Sequence, residues 1–133
     1  MTAASVDRRP LRLCNFEVLR RAFDAVSVTA GVCEEVIFRG FLIAYLMAAL
    51  GAPFWVAGLL SSVIFGFAHA YQGPAGIPRT AAVGGMLAIL YGLTGSLWAP
   101  IVAHAVIDIT SGRIAFAAFT ENTPDRSSPN LAA

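Results

Sequence analysis

The chain has 133 residues, enough for one domain and too few for two ordinary ones. Apolar residues make up 57% and charged residues 13%, where a soluble domain carries roughly 25%; with a mean hydropathy of +0.70 the composition is that of a polytopic membrane protein. A net charge of +1, carried by arginines that form no groove-like cluster, excludes a nucleic-acid-binding class, and two cysteines, Cys14 and Cys33, exclude a disulfide framework.

Residues 1–25 hold Arg8, Arg9, Arg12, Arg20 and Arg21 with apolar residues between them. They lack the continuous apolar run and the small-residue cleavage site of a signal peptide. Two readings stand: a basic flank that orients the first span, or an amphipathic helix from Leu11 to Phe23 on an anionic membrane surface. Residues 26–119 form the expected membrane core, in four apolar segments. The first runs from about Ser27 to Leu50 and is closed by Gly51-Ala52-Pro53. The second runs from Phe54 to about Tyr71 and leads into the loop Gln72–Arg79. The third runs from Thr80 to about Leu93, and the fourth from Pro100 to Phe119. At 1.5 Å per residue the third covers about 21 Å, short of the roughly 30 Å hydrocarbon core. The break Gly92–Pro100 is therefore expected to be submerged, which backbone tolerates only when buried in protein or lining a wet cavity. Residues 120–133 are polar and expected to be disordered. The fold class is all-α: a polytopic transmembrane bundle of about four membrane helices with a submerged break before the last. Arginine placement puts both termini and the Arg79 loop on the cytoplasmic side of the cell membrane.

Within that apolar chain a few ionisable residues stand out. Each costs at least a few kcal/mol in a membrane span, which makes it a functional candidate. Glu35 and Arg39 are an i, i+4 pair on one helical face and neutralise each other. Glu34 is turned about 100° away and needs another partner. His69, His104 and Asp108 are the candidates, the last two again an i, i+4 pair. A cluster of Glu34, His69, His104 and Asp108 from three helices can bind a divalent metal such as zinc that activates water, with Glu34, His69 and His104 as ligands. It can equally work without metal, a carboxylate serving as base and imidazoles polarising a carbonyl. Either chemistry hydrolyses a buried acyl bond, most plausibly a peptide. Cys33 is expected to be a buried small apolar residue, Arg113 a snorkelling interfacial one, and Trp55 and Trp98 ordinary apolar or interfacial aromatics with no special role.

Glu34-Glu35-Val36-Ile37-Phe38-Arg39-Gly40 resembles the first motif, Glu-Glu-x-x-x-Arg, of the CPBP family of intramembrane proteases, which includes CAAX proteases and bacteriocin-processing enzymes and is also called the abortive-infection family. Phe65-Gly66-Phe67-Ala68-His69 is similar to its second motif, Phe-x-x-x-His, and His104-Ala105-Val106-Ile107-Asp108 to its third, His-x-x-x-Asn/Asp. The three occur in the family's order across residues 31–110. The resemblance implies an intramembrane endopeptidase in which Glu34 and His69 activate water. It implies that His104 and Asp108 stabilise the oxyanion or position the metal or water, and that Glu35 with Arg39 holds the site's shape. Two departures qualify it. Asp108 stands where many members carry asparagine, and an ionised aspartate cannot donate to an oxyanion. The chain also lacks the additional N-terminal spans usual in relatives, so a minimal core, a truncated frame or a homo-oligomer that completes the bundle are all expected forms.

The implied substrate is a membrane-associated peptide, either a CAAX-type prenylated protein or a bacteriocin-like peptide. The alternative from another class is a non-catalytic membrane protein that keeps the fold for binding, immunity or scaffolding. A third reading, an ion or proton pathway, uses the same buried carboxylates.

Overall fold

A computed structural model of the chain describes residues 9–121, with side chains from 17 to 118. The described residues form four helical rods. The first is continuous from Arg9 to Leu50: helix α1 (Arg9–Glu35), a π-helical stretch (Val36–Leu42), and helix α2 (Ile43–Leu50). Then follow α3 (Phe54–Ala68), a 3-10 turn (Ala70–Gln72), α4 (Gly76–Thr94) and α5 (Trp98–Glu121). Of the expected disordered tail, Thr120 and Glu121 still belong to α5, while residues 122–133, like Arg8, lie outside those described.

Local chemistry sets the boundaries. Gly51 and Gly95 follow α2 and α4 with φ of +61°, the left-handed cap that glycine takes without a Cβ penalty. The Gly95 N–H donates to the Tyr91 carbonyl at 2.8 Å and closes α4. Pro53 precedes α3 in an extended conformation, and its carbonyl accepts from Val56 and Ala57 at 3.0 and 3.2 Å.

Two expected boundaries are corrected. The third segment begins at Gly76 rather than Thr80, because Pro78 falls in the first turn, where its missing N–H has no partner to lose. At 19 residues α4 is about 28 Å long, so its length gives no reason for a submerged Gly92–Pro100 break, and the non-helical link is only 95–97. The shortfall belongs to α3, which ends at Ala68 instead of Tyr71. Its 15 residues reach about 22 Å.

Helices α4 and α5 (the latter over Trp98–Ala118) are long and apolar enough to cross a membrane. Across the described residues several polar groups lie inside and several large apolar ones outside. Ser27, Glu35, Arg39, Ser61, Ser62 and His104 are buried, while Phe41, Trp55, Phe67, Ile89, Leu93 and Trp98 are exposed. A soluble fold arranges these residue types the other way round. Helix α3 packs along α4, α1 along α5, and the π-helical stretch crosses α3. Small residues allow the close approach: a Cβ on Gly66 would lie 2.7 Å from the Ile77 carbonyl oxygen, and one on Gly31 would lie 3.1 Å from that of Ile101.

Cys33 is exposed, not buried. It lies two turns from Val26 on the same face of α1, and Val26 is also exposed. Its apolar character suits that outward face as well as it would a core. Arg113 is not alone at the interface either. It holds Asp24 of α1 at 3.2 Å, an interhelical ion pair.

Candidate functional site

Four elements bring their ionisable groups together. Glu34 and Glu35 end α1, His69 caps the C-terminus of α3, and His104 and Asp108 sit on successive turns of α5. Arg39 comes from the π-helical stretch. All six residues singled out in the sequence therefore meet in one place.

The inner half is a short hydrogen-bonded network. Arg39 Nη1 donates to Glu35 Oε1 at 2.7 Å and Nη2 to the Gly84 carbonyl at 2.9 Å. His104 Nδ1 lies 2.7 Å from the same Glu35 oxygen. Because that oxygen belongs to a carboxylate already paired with Arg39, the imidazole is the donor. Glu35 is thus more than the counter-ion of Arg39: it fixes which ring nitrogen of His104 carries the proton.

The outer half is differently arranged. His69 Nδ1 lies 2.9 Å from the Phe65 carbonyl; a carbonyl only accepts, so His69 also has its proton on Nδ1. In the neutral rings both Nε2 atoms are then bare acceptors. Both face Glu34 Oε2, at 3.7 Å from His69 and 3.8 Å from His104. Asp108 Oδ2 is 3.6 Å from His104 Nε2. These separations are too long for direct hydrogen bonds. Glu34 Oε2 and Glu35 Oε2 are sealed from solvent and have no hydrogen-bond partner among the described residues. The outer half therefore gathers acceptors with no donor among them, the arrangement that holds a small proton-donating or cationic species.

Two imidazole nitrogens and a carboxylate oxygen are donor types that suit zinc. Their separations exceed the roughly 3.4 Å between ligands in a tetrahedral zinc shell, and among the described residues no group of three or more His, Cys, Asp or Glu has metal-holding geometry.

Phe65 is the residue whose role the sequence left unread. Fully buried, it stands edge-on to His104 (centroids 5.7 Å apart, 84°), leans on His69 (4.6 Å) and lies under the Arg39 guanidinium at 4.7 Å. It fills the space between the three cationic or titratable groups, and its own carbonyl sets the His69 tautomer. Its spacing of four from His69 was the available signal. An apolar residue in an apolar run carries no charge to draw notice.

Residues 21–110, which include every residue of this site, match the model of the Rce1-like type II CAAX prenyl endopeptidase family. The chain is 37% identical over 82 residues to the "Putative membrane peptidase YdiL" of Bacillus subtilis (strain 168). The aligned region is 62% of this chain and 32% of that protein, so the chain spans about a third of the length of the relative it matches. No solved structure matches it. With the family model covering well over half of the sequence, the chain belongs to the Rce1-like, or CPBP, family of CAAX prenyl endopeptidases.

Proposed function

We propose that the chain is an intramembrane endopeptidase that hydrolyses a peptide bond of a membrane-associated substrate with water activated by Glu34 and His69. The observation that carries this reading is the meeting of Glu34 Oε2 with two bare imidazole nitrogens at 3.7 and 3.8 Å. A water held there donates one proton to Glu34 and one to His69 Nε2, leaving its oxygen lone pair for the substrate carbonyl. Glu34 takes the proton as the C–O bond forms and delivers it to the leaving amine as the C–N bond breaks. In its doubly protonated form, with Glu35 on Nδ1, His104 donates from Nε2 to the carbonyl oxygen as that oxygen becomes the oxyanion. Glu35 on Nδ1 steadies that charge as the carboxylate of a hydrolase triad does. Asp108, 3.6 Å from the same nitrogen, orients it; this assigns the aspartate a role that needs no hydrogen-bond donation.

All four rods are taken to cross the bilayer, with both chain ends on the cytoplasmic side. Arg20, Arg21, Arg79 and Arg113 are all exposed and lie in the halves of their rods that this topology places together, and the exposed Trp55 and Trp98 mark the opposite ends. The substrates proposed are prenylated C-terminal peptides or bacteriocin-like peptides, the classes that the family suggests.

The test is cleavage of a peptide panel, read by mass, by protein held in detergent or liposomes. The panel includes prenylated C-termini, and Glu34→Gln protein runs in parallel with and without a chelator. Cleavage lost in Glu34→Gln supports the reading. Cleavage that survives in protein free of contaminating protease sinks it. Loss on chelation and recovery with added zinc would place a metal among Glu34, His69 and His104.

A further inference from the structure

The first rod carries a buried stripe at a strict spacing of four: Ser27, Gly31, Glu35, Arg39 and Ile43. An α-helix cannot keep such a stripe on one face. Each step of four residues turns about 40° beyond a full circle, so four steps displace the stripe by about 160°. The π-helical stretch Val36–Leu42 supplies the correction, because its i→i+5 bonding makes a turn wider than four residues and winds the drift back. Glu35 can then meet His104 while Arg39, one step on, meets Gly84 on the neighbouring rod.

Such a turn needs holding, since the α-helical register is the default for the same residues. A cross-rod bond does so: the Ser61 hydroxyl of α3 donates to the Phe38 carbonyl within the wide turn at 2.8 Å. Ser61 is 1% exposed, so no solvent replaces that donor if it is lost. Its neighbour Ser62 is buried to the same degree on the same helix, yet its hydroxyl donates to Gly58 one turn back, within α3. The two serines share chemistry and depth and differ in what they hold.

We propose that Ser61 is a positioning residue, whose bond to the Phe38 carbonyl holds the wide turn in the register that aims Glu34 at the two imidazoles while Glu35 and Arg39 pair behind it. The structural part of this inference stands alone; its consequence for turnover rests on the protease reading.

The test compares Ser61→Ala, Ser61→Thr and Ser62→Ala in the full chain in detergent, by hydrogen exchange resolved over Val36–Leu42 and by cleavage kinetics. Ser61→Ala is expected to exchange about tenfold faster in that stretch and to lose about tenfold in kcat at unchanged KM, the worth of one buried hydrogen bond. Ser61→Thr keeps the donor and is expected to restore both readings toward those of the parent, and Ser62→Ala is expected to leave both unchanged. A Ser61→Ala protein whose Val36–Leu42 exchange matches that of Ser62→Ala overturns the inference, whatever its activity. Parent protein that cleaves nothing, or cleavage that survives Glu34→Gln, removes the protease reading and leaves the exchange measurement to judge Ser61. Should Ser61→Ala not fold, an exchange of Ser61→Thr equal to the parent's supports the bond, and faster exchange confined to Val36–Leu42 counts against it.

Discussion

His104 divides the site into two halves, each with a glutamate beside an imidazole. On its Nδ1 side lie Glu35, Arg39 and the Gly84 carbonyl, joined at 2.7–2.9 Å, with neither charged side chain more than 1% exposed. On its Nε2 side lie Glu34, His69 and Asp108, at 3.6–3.8 Å and with side chains 13–37% exposed. Each half has a carboxylate beside an imidazole. In the first, charge is cancelled and Glu35 Oε1 takes two bonds, which makes a frame. In the second, acceptors converge with no donor among them, and that surplus can act on a substrate. Burial and the donors that Arg39 supplies to one half alone separate the two roles.

Replacing the two adjacent glutamates tests that separation most strongly. Glu34→Gln removes the base and keeps the shape, so kcat is expected to fall by about 10³-fold, within the usual worth of a general base, while thermal unfolding stays at the parent value. Glu35→Leu is expected to act through the fold. It strands the Arg39 guanidinium in a buried site, at a cost of about 3–5 kcal/mol, measured by denaturant or thermal unfolding in a fixed detergent. Glu35→Leu with Arg39→Leu removes both charges and is expected to recover most of that stability and none of the activity. If Glu34→Gln unfolded as readily as Glu35→Leu, the two halves would not differ as described.

The sequence announced these groups because a charge in an apolar run is rare and expensive, and the i, i+4 spacing of Glu35 with Arg39 predicted their pairing. What it could not announce depends on partners remote in the chain. The tie from Glu35 to His104 spans 69 positions, and nothing local to either residue encodes it. Pro78 falls within the expected loop Gln72–Arg79 and in the structure sits in the first turn of α4, since only its place within the turn decides between the two. The wide turn at Val36–Leu42 did leave a trace, the spacing of four from Ser27 to Ile43. That trace becomes readable only once the small and polar members of the stripe are known to be buried. Cys33 misled because, in a bilayer, apolar character marks the outside as readily as the core.

A smaller effect sharpens the comparison from the packing side. The frame depends on α3 and α4 lying close, since Phe65 and Gly84 come from the two. On Gly66 a Cβ would stand 2.7 Å from the Ile77 carbonyl oxygen and 2.8 Å from the Ala81 Cβ. Backbone cannot move aside as a flexible side chain can, so Gly66→Ala is expected to cost about 1–3 kcal/mol and to lower the unfolding midpoint. A neutral outcome would mean that α3 and α4 have slack at this crossing.

The smallest expected effect is the most direct check on burial as the deciding variable. Asp24 and Arg113 also join a carboxylate to a guanidinium, here between α1 and α5, at 3.2 Å. Unlike Glu35 and Arg39 they are partly open, with side chains 27% and 59% exposed. Solvent and headgroups can screen either charge when its partner goes, so Asp24→Asn is expected to change stability by no more than about 0.5 kcal/mol and to leave cleavage as it is. Unfolding of Asp24→Asn beside Glu35→Leu in the same detergent makes the measurement. Equal losses would mean that the ion pair itself, wherever it sits, carries the stability, and the closed half of the site would need another explanation for its rigidity.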